Sequence, residues 1–106
     1  EPLGFLYEET SIEYGIPKMY TPDFSYGCFH VEVKGWFRPG DRQKYQCINN
    51  TFAQMGEAFI FLFQNGSKPV AKGAKLTMGG WAEKHDIPWF EDPKELGSYV
   101  TGWDLY

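Results

Sequence analysis

Two carboxylates and a lysine stand close together in the sequence, in a pattern that suits metal-assisted hydrolysis of a phosphodiester bond. Asp23 follows a proline, and Glu32 and Lys34 come a few residues later, separated by Val33. Carboxylate oxygens are hard ligands that Mg²⁺ and Mn²⁺ prefer, and a lysine nearby can orient the attacking water and offset charge on the phosphate. The predicted catalytic residues are Asp23, Glu32 and Lys34. The predicted metal ligands are Asp23, Glu32 and the carbonyl oxygen of Val33.

A predicted strand, Phe29–Lys34, holds two of these residues. Alternate side chains of a strand share a face, so Glu32 and Lys34 are expected on one face together with His30. The other face is expected to point into the core and carries Phe29, Val31 and Val33. Tyr26-Gly27 suits the turn of a hairpin, which would bring Asp23, on the preceding strand, to the same end of the sheet as Glu32.

The remaining elements predict a small mixed sheet flanked by helices. Residues 5–14 and 18–24 have the composition of extended segments, and Ala58–Phe63 is an apolar run typical of a strand buried on both faces. Asp41 is expected to cap a helix reaching about Met55, followed by a stop at Gly56. Thr77 is expected to cap a short helix ending near His85. The tail from residue 86 onward is expected to be irregular and to pack on the rest of the domain. The chain of 106 residues is thus expected to be a single α/β domain.

The net charge argues against nucleic-acid binding, whereas three basic residues near the site favour it. The net charge of −4 and the pI of about 5.1 argue against a nucleic-acid-binding protein, which usually carries a basic face. Carboxylates held together for a cation explain part of this acidity. Arg38, Arg42 and Lys44 follow the strand of the site and are the candidate DNA-binding residues, although a solvated helix start explains them equally well.

Other side chains receive simpler interpretations. His30 is interpreted as a hydrogen-bonding structural residue, and Trp36 and Trp81 as core residues. Cys28 and Cys47 are expected to be buried or half-buried free thiols in a reducing compartment. No apolar run is long enough to cross a membrane and no signal segment is evident, so a cytoplasmic protein is expected.

The short motif alone leaves an alternative open, since a Val-Glu-Val-Lys strand is also an ordinary half-exposed strand. A longer stretch of sequence favours the nuclease. Its segments, in order, are Tyr7-Glu8-Glu9, Tyr20-Thr21-Pro22-Asp23-Phe24, Val31-Glu32-Val33-Lys34-Gly35-Trp36, Asp41-Arg42 with Lys44, and Trp81-Ala82-Glu83-Lys84-His85-Asp86-Ile87. Over roughly residues 4–90 this order and spacing resembles the endonuclease I family of T-seven-like phages, within the PD-(D/E)xK nuclease superfamily.

The resemblance implies a restriction-endonuclease-like fold and a Mg²⁺- or Mn²⁺-dependent endodeoxyribonuclease that cleaves branched DNA, including Holliday junctions. Asp23, Glu32 and Lys34 match the family's catalytic residues. The resemblance also implies a homodimer that exchanges elements through residues 5–14, in the host cytoplasm if the protein is phage-encoded.

Two departures from the family pattern keep other functions open. The family places a further catalytic glutamate on a helix upstream of the first strand, and domain 1–106 is expected to lack that helix. The family's basic C-terminal tail is expected to be replaced by an acidic, aromatic ending. The alternatives are a nuclease of the same fold acting on linear duplex, and a degenerate nuclease core that binds DNA or a protein partner.

Overall fold

A computed structural model describes Leu6–Tyr7, Ile12–Glu13 and residues 19–102 of the chain. Within these residues the chain forms seven strands and three helices. The strands are β1 (Leu6–Tyr7), β2 (Ile12–Glu13), β3 (Met19–Tyr20), β4 (Phe24–Tyr26), β5 (Phe29–Lys34), β6 (Ala58–Phe63) and β7 (Trp89–Phe90). The helices are α1 (Asp41–Gln54), α2 (Met78–Lys84) and α3 (Pro93–Gly102). The prediction for residues 5–14 falls largely outside the described residues.

The main sheet is mixed, in the order β1-β4-β5-β6-β7. Strand β5 runs antiparallel to β4 and parallel to β6, and β6 runs parallel to β7. Strands β2 and β3 form a separate antiparallel pair. Helix α1 connects the parallel strands β5 and β6, as such a pairing requires. This arrangement confirms the predicted α/β class, a mixed sheet flanked by helices.

The β4–β5 hairpin is formed as predicted. Phe24 pairs with Val31 and Tyr26 with Phe29, and the turn between the strands contains Gly27 at a φ of 58°. A left-handed φ favours glycine because glycine has no Cβ to clash with the backbone. The predicted boundaries of strand β5 are also confirmed.

Each face of the central strands is covered by a different set of helices. The larger core cluster combines the β6 row of Phe59, Phe61 and Phe63 with residues of α1 and α2. The parallel register places His30, Glu32 and Lys34 beside that aromatic row, so the predicted site lies on the side of the larger cluster. The smaller cluster, on the opposite face, packs α3 against Val31 and Ile60.

The prediction that Val33 faces the core is wrong. Its side chain is 43% exposed, because the smaller cluster is built around Val31 and Ile60 and does not extend to that end of β5. Strand β6, by contrast, is buried on both faces as predicted.

The ends of the helices agree only in part with the prediction. Gly40, in the left-handed region, is the N-cap of α1, and Asp41 is the first helical residue, so the assignment of Asp41 as the cap is wrong. The Asp41 carboxylate instead accepts a hydrogen bond from the backbone N–H of Arg38 at 2.8 Å. Thr77 caps α2 as predicted, since its hydroxyl accepts from the backbone N–H of Gly80 at 3.0 Å.

Residues 86–102 pack on the rest of the domain, as predicted, but they contain β7 and α3, so the prediction of irregular structure is wrong for this described part of the tail. Pro93 is the first residue of α3, where its missing N–H costs nothing, and the Asp92 side chain accepts from the N–H of Lys94 at 2.9 Å. Leu96 and Val100, four residues apart, share the face that packs on the sheet. These start signals and this spacing were present in the sequence.

Glycine at position 79 permits close packing of α2 against Trp89. A Cβ added at Gly79 would lie 2.5 Å from the Trp89 ring, whereas one added at Gly102 meets none of the described residues within 4 Å. We therefore expect Gly79→Ala to lower the free energy of unfolding by about 1–3 kcal/mol, a typical effect of overpacking. Gly102→Ala is the control and should cost nothing measurable. Chemical denaturation of both variants checks this, and equal stability would contradict the packing described.

Cys28 and Cys47 are free thiols, as predicted, and Cys47 is partly buried. The predicted burial of Cys28 is wrong, because this residue lies in the exposed turn between β4 and β5. Within the described residues, no helix is long and apolar enough to cross a membrane.

Candidate active site

Asp23 lies immediately before β4, at the same end of the sheet as Glu32. Continuing the register from the Phe24–Val31 pair puts Asp23 opposite Glu32. One carboxylate oxygen of Asp23 accepts a hydrogen bond from the backbone N–H of Val33 at 2.8 Å. This bond fixes the aspartate against the strand segment that carries Glu32 and Lys34. The predicted juxtaposition of Asp23 with Glu32 is therefore present in the structure.

Glu32 is held by two tyrosine hydroxyls. Tyr20 donates to one of its carboxylate oxygens, and Tyr45 of α1 donates to the other at 3.1 Å. Burial, together with the negative charge of Glu32, raises the pKa of both tyrosines far above the ordinary value. Both hydroxyls therefore remain protonated donors over the whole physiological range and hold the carboxylate in one orientation.

Burial also raises the pKa of Glu32 itself above its ordinary value of 4.5, and the nearby charge of Asp23 adds to the effect. The hydrogen bonds from the two tyrosines and the charge of Lys34 act in the opposite direction without cancelling it. The two carboxylates are thus close enough to repel each other, and the local surroundings do not neutralise them fully.

Lys34 is held by the start of α1. Its Nζ lies 3.2 Å from a carboxylate oxygen of Asp41, and its ammonium group is 5.3 Å from the centre of the Tyr45 ring. Asp41 in turn is anchored by the Arg38 N–H. The pair is largely buried, with 18% of the lysine side chain and 11% of the aspartate side chain exposed. The lysine head group is therefore positioned, and not freely solvated.

The donor chemistry of this site fits a hard divalent cation. Asp23 and Glu32 offer carboxylate oxygens at the same end of the sheet, and the nearby cation Lys34 is paired with Asp41 instead of with them. Such oxygens suit Mg²⁺ or Mn²⁺ better than softer metals. In the part of the chain that is described, no group of three or more His, Cys, Asp or Glu side chains is arranged to hold a metal ion. The carboxylate set found there therefore consists of two residues.

The three candidate DNA-binding residues do not form one cluster. Lys44 lies beside the site, with its ammonium group 5.3 Å from the Tyr45 ring centre and 6.0 Å from that of Tyr20. Arg38 is exposed and stands over the ring of Trp36 at 5.9 Å. Arg42 is exposed on the first turn of α1.

His30 has the structural role that was predicted. It is buried, and its ring stacks on Phe52 with centroids 4.2 Å apart. One ring nitrogen is hydrogen-bonded to Ser25 at 2.8 Å and the other to Glu57.

Trp81 is a core residue as predicted, at 4% exposed, but the same prediction for Trp36 is wrong, since Trp36 is 58% exposed. Trp36 follows the bend at Gly35, which carries it away from both core clusters.

Three residues of the site were not recognised from the sequence as part of it: Tyr20, Tyr45 and Asp41. Of these three, only Asp41 has a role in the sequence analysis, as the expected cap of α1. The spacing of four residues between Asp41 and Tyr45 was a usable signal, because it puts both on one face of a helix. Tyr20 carried no such signal, since it reaches Glu32 only through the tertiary fold.

Comparison with known proteins gives a consistent result. The sequence model of a family described as phage endonuclease I matches residues 1–93. The chain is also similar to Endodeoxyribonuclease 1 of Enterobacteria phage T3, with 34% identity over 90 residues. That alignment covers 80% of this chain and 57% of the phage T3 protein, so the chain spans little more than half the length of this relative.

Proposed function

The chain belongs to the phage endonuclease I family, and from this premise we propose that it is a metal-dependent endodeoxyribonuclease acting on branched DNA such as Holliday junctions. The observation that carries the proposal is the association of Asp23, Glu32 and Lys34 at one end of the sheet. Each of them is fixed by a specific contact: Val33 for Asp23, two tyrosines for Glu32, and Asp41 for Lys34.

Each residue has a proposed role that its surroundings support. Asp23 and Glu32, with the carbonyl oxygen of Val33, would hold Mg²⁺ or Mn²⁺. When bound, the cation would supply Lewis-acid stabilisation of the charge on the scissile phosphate. Lys34 would orient the attacking water and offset negative charge in the transition state. Tyr20 and Tyr45 keep Glu32 in place, so little reorganisation is needed when substrate arrives.

The distribution of charge along the chain supports DNA as the substrate despite the net acidity. Residues 34–75 contain seven of the ten Lys and Arg residues but only two of the 14 acidic residues. This segment includes Lys34 and the three candidate DNA-binding residues, Arg38, Arg42 and Lys44. Most of the acidic residues therefore lie in other parts of the chain. Residues 34–75, which begin at the site, carry the net positive charge that phosphate binding requires.

Branch selectivity and a homodimer are part of the same proposal. A fixed distance between two symmetric sites lets a protein recognise the geometry of a junction without reading its bases. The family resemblance supports this assembly, with element exchange between the two copies. A host-cytoplasmic location, and completion of the site by an upstream glutamate, are proposed on the same basis.

The decisive experiment compares cleavage of a four-way junction with cleavage of a linear duplex containing the same sequences, in Mg²⁺ and in EDTA. We expect cleavage only with the metal and a strong preference for the junction. Equal cleavage of both DNAs would exclude branch selectivity and favour a nuclease for linear duplex. DNA binding without metal-dependent cleavage would favour a degenerate core.

A further inference from the structure

A concave surface just beyond the end of β5 combines an exposed tryptophan with lysines. It encloses about 400 Å³ and is lined by Trp36 and Phe37 on one side and by residues 68–72 on the other. Trp36 is 58% exposed, the most of any large hydrophobic side chain in the described residues. Only Gly35 separates Trp36 from Lys34 in the sequence, so their Cα atoms are at most about 7 Å apart. The surface therefore adjoins the proposed active site.

The charges that line this surface are all positive. Lys68 and Lys72 are its charged lining residues, and the sequence has no Asp or Glu from Ala58 to Ala82. The ion pairs found in the described part of the chain involve other residues, so neither lysine is neutralised there by an acidic partner. The Arg38 guanidinium, 5.9 Å from the centre of the Trp36 ring, adds a third cation at the rim.

An exposed indole beside cations that have no ion-pair partner among the described residues matches the chemistry of one ligand class, an unstacked nucleotide. Bases stack on aromatic side chains regardless of their identity, and cations alongside bind the flanking phosphates. In a matched duplex the faces of the bases are already covered by their neighbours, so they are not free to stack on a protein ring. A base that is unpaired, as at a branch point, a bulge or a strand end, is available.

We propose that Trp36 stacks on an unpaired base of the DNA substrate, while Lys68 and Lys72 bind the phosphates beside it. This inference rests on the proposed function, because it takes DNA as the substrate, and it adds a specificity determinant next to the cleavage site. Trp36 would select DNA that presents a free base, independently of any selection that a dimer makes through geometry.

The test measures binding in EDTA, where no cleavage is expected. The probe is a duplex with a fluorescent adenine analogue at a single unpaired position, and the reference is the matched duplex with the same analogue paired. We expect quenching of the unpaired analogue by the unaltered chain. Trp36→Ala should abolish the quenching and weaken binding of the unpaired probe about 5- to 150-fold. Trp36→Phe should retain most of both effects, because it preserves an aromatic face.

Matched variants separate stacking from general effects. Met55→Ala removes another exposed hydrophobic side chain, 50% exposed, and should leave the binding of both DNAs unchanged. Lys68→Gln and Lys72→Gln should weaken the binding of both DNAs to a similar extent. Each should reduce the magnitude of the negative slope of log K against log salt by about 1. Lys94→Gln, on α3, should not alter the slope.

The inference is overturned if the unaltered chain does not quench the unpaired analogue, or if Trp36→Ala weakens matched and unpaired duplexes equally. In the second case the surface contributes only to general affinity or serves a protein partner. The outcome is separable from that of the proposed function. Metal-dependent cleavage without Trp36-dependent quenching would refute only this inference, and Trp36-dependent quenching without cleavage would refute only the nuclease activity.

Discussion

Glu32→Gln is expected to abolish metal-dependent cleavage while making the metal-free protein more stable. Loss of the carboxylate removes a proposed ligand of a cation whose contribution to catalysis is several kcal/mol, so cleavage should fall by about 10³-fold or more. The stability gain has a different origin. Burial raises the pKa of Glu32 in the folded protein, so folding disfavours the ionised carboxylate, and the neutral amide avoids that cost.

The sign of the pH dependence follows from the direction of this shift. A group whose pKa is higher in the folded state favours folding below its unfolded-state pKa, and that contribution is lost as the pH rises through the folded-state pKa. In EDTA, the variant and the unaltered protein should therefore be similar in stability at acid pH, and the variant should become the more stable of the two as the pH approaches neutrality. Added Mg²⁺ should raise the melting temperature of the unaltered protein only.

Thermal unfolding between acid and neutral pH, with and without Mg²⁺, together with junction cleavage, checks this prediction. Glu95→Gln removes an exposed carboxylate on α3 and is the control, with less than about a twofold change in cleavage, as is usual for a surface change away from the site. A Glu32→Gln variant that still cuts would refute the assignment of Glu32 to the metal site. One that is less stable near neutral pH would refute the account of its burial.

Lys34→Met is expected to reduce cleavage by about 10²- to 10³-fold, the typical effect of removing one group that stabilises transition-state charge. It should also destabilise the fold by about 1–3 kcal/mol, because the mostly buried Asp41 carboxylate loses its charged partner. These two effects have separate causes, and a second substitution can separate them.

The double variant Lys34→Met with Asp41→Asn provides the separation. It removes the unpaired buried charge, so much of the lost stability should return, while cleavage should stay low. Denaturation and single-turnover cleavage of both single variants and the double variant complete the cycle. Recovery of cleavage in the double variant would mean that Lys34 acts only by supporting α1 and has no role in the chemistry.

Local pattern determined a large part of this molecule. Strand β5 was predicted with its observed boundaries because its alternation has a period of two, and the β4–β5 turn followed from Gly27. Strand β6 and the positions of α1 and α2 were also predictable, since runs of apolar residues and the Thr77 cap act within a few residues of the chain. The ordered motifs around Asp23, Glu32 and Lys34 were sufficient to indicate the family.

The sequence failed where the environment of a residue is set by distant parts of the chain. Tyr20 and Tyr45 reach Glu32 across 12 and 13 residues, and no local period encodes such a contact. The exposure of Trp36 and of Val33 depended on where each core cluster ends. Only the tertiary structure decided that the face of β5 that carries Glu32 and Lys34 is also the face of the larger core. That arrangement is the physical reason why Glu32 is half-buried, is oriented by two tyrosines and has a raised pKa. The sequence alone predicted that Asp23, Glu32 and Lys34 lie together, but not the groups that surround them.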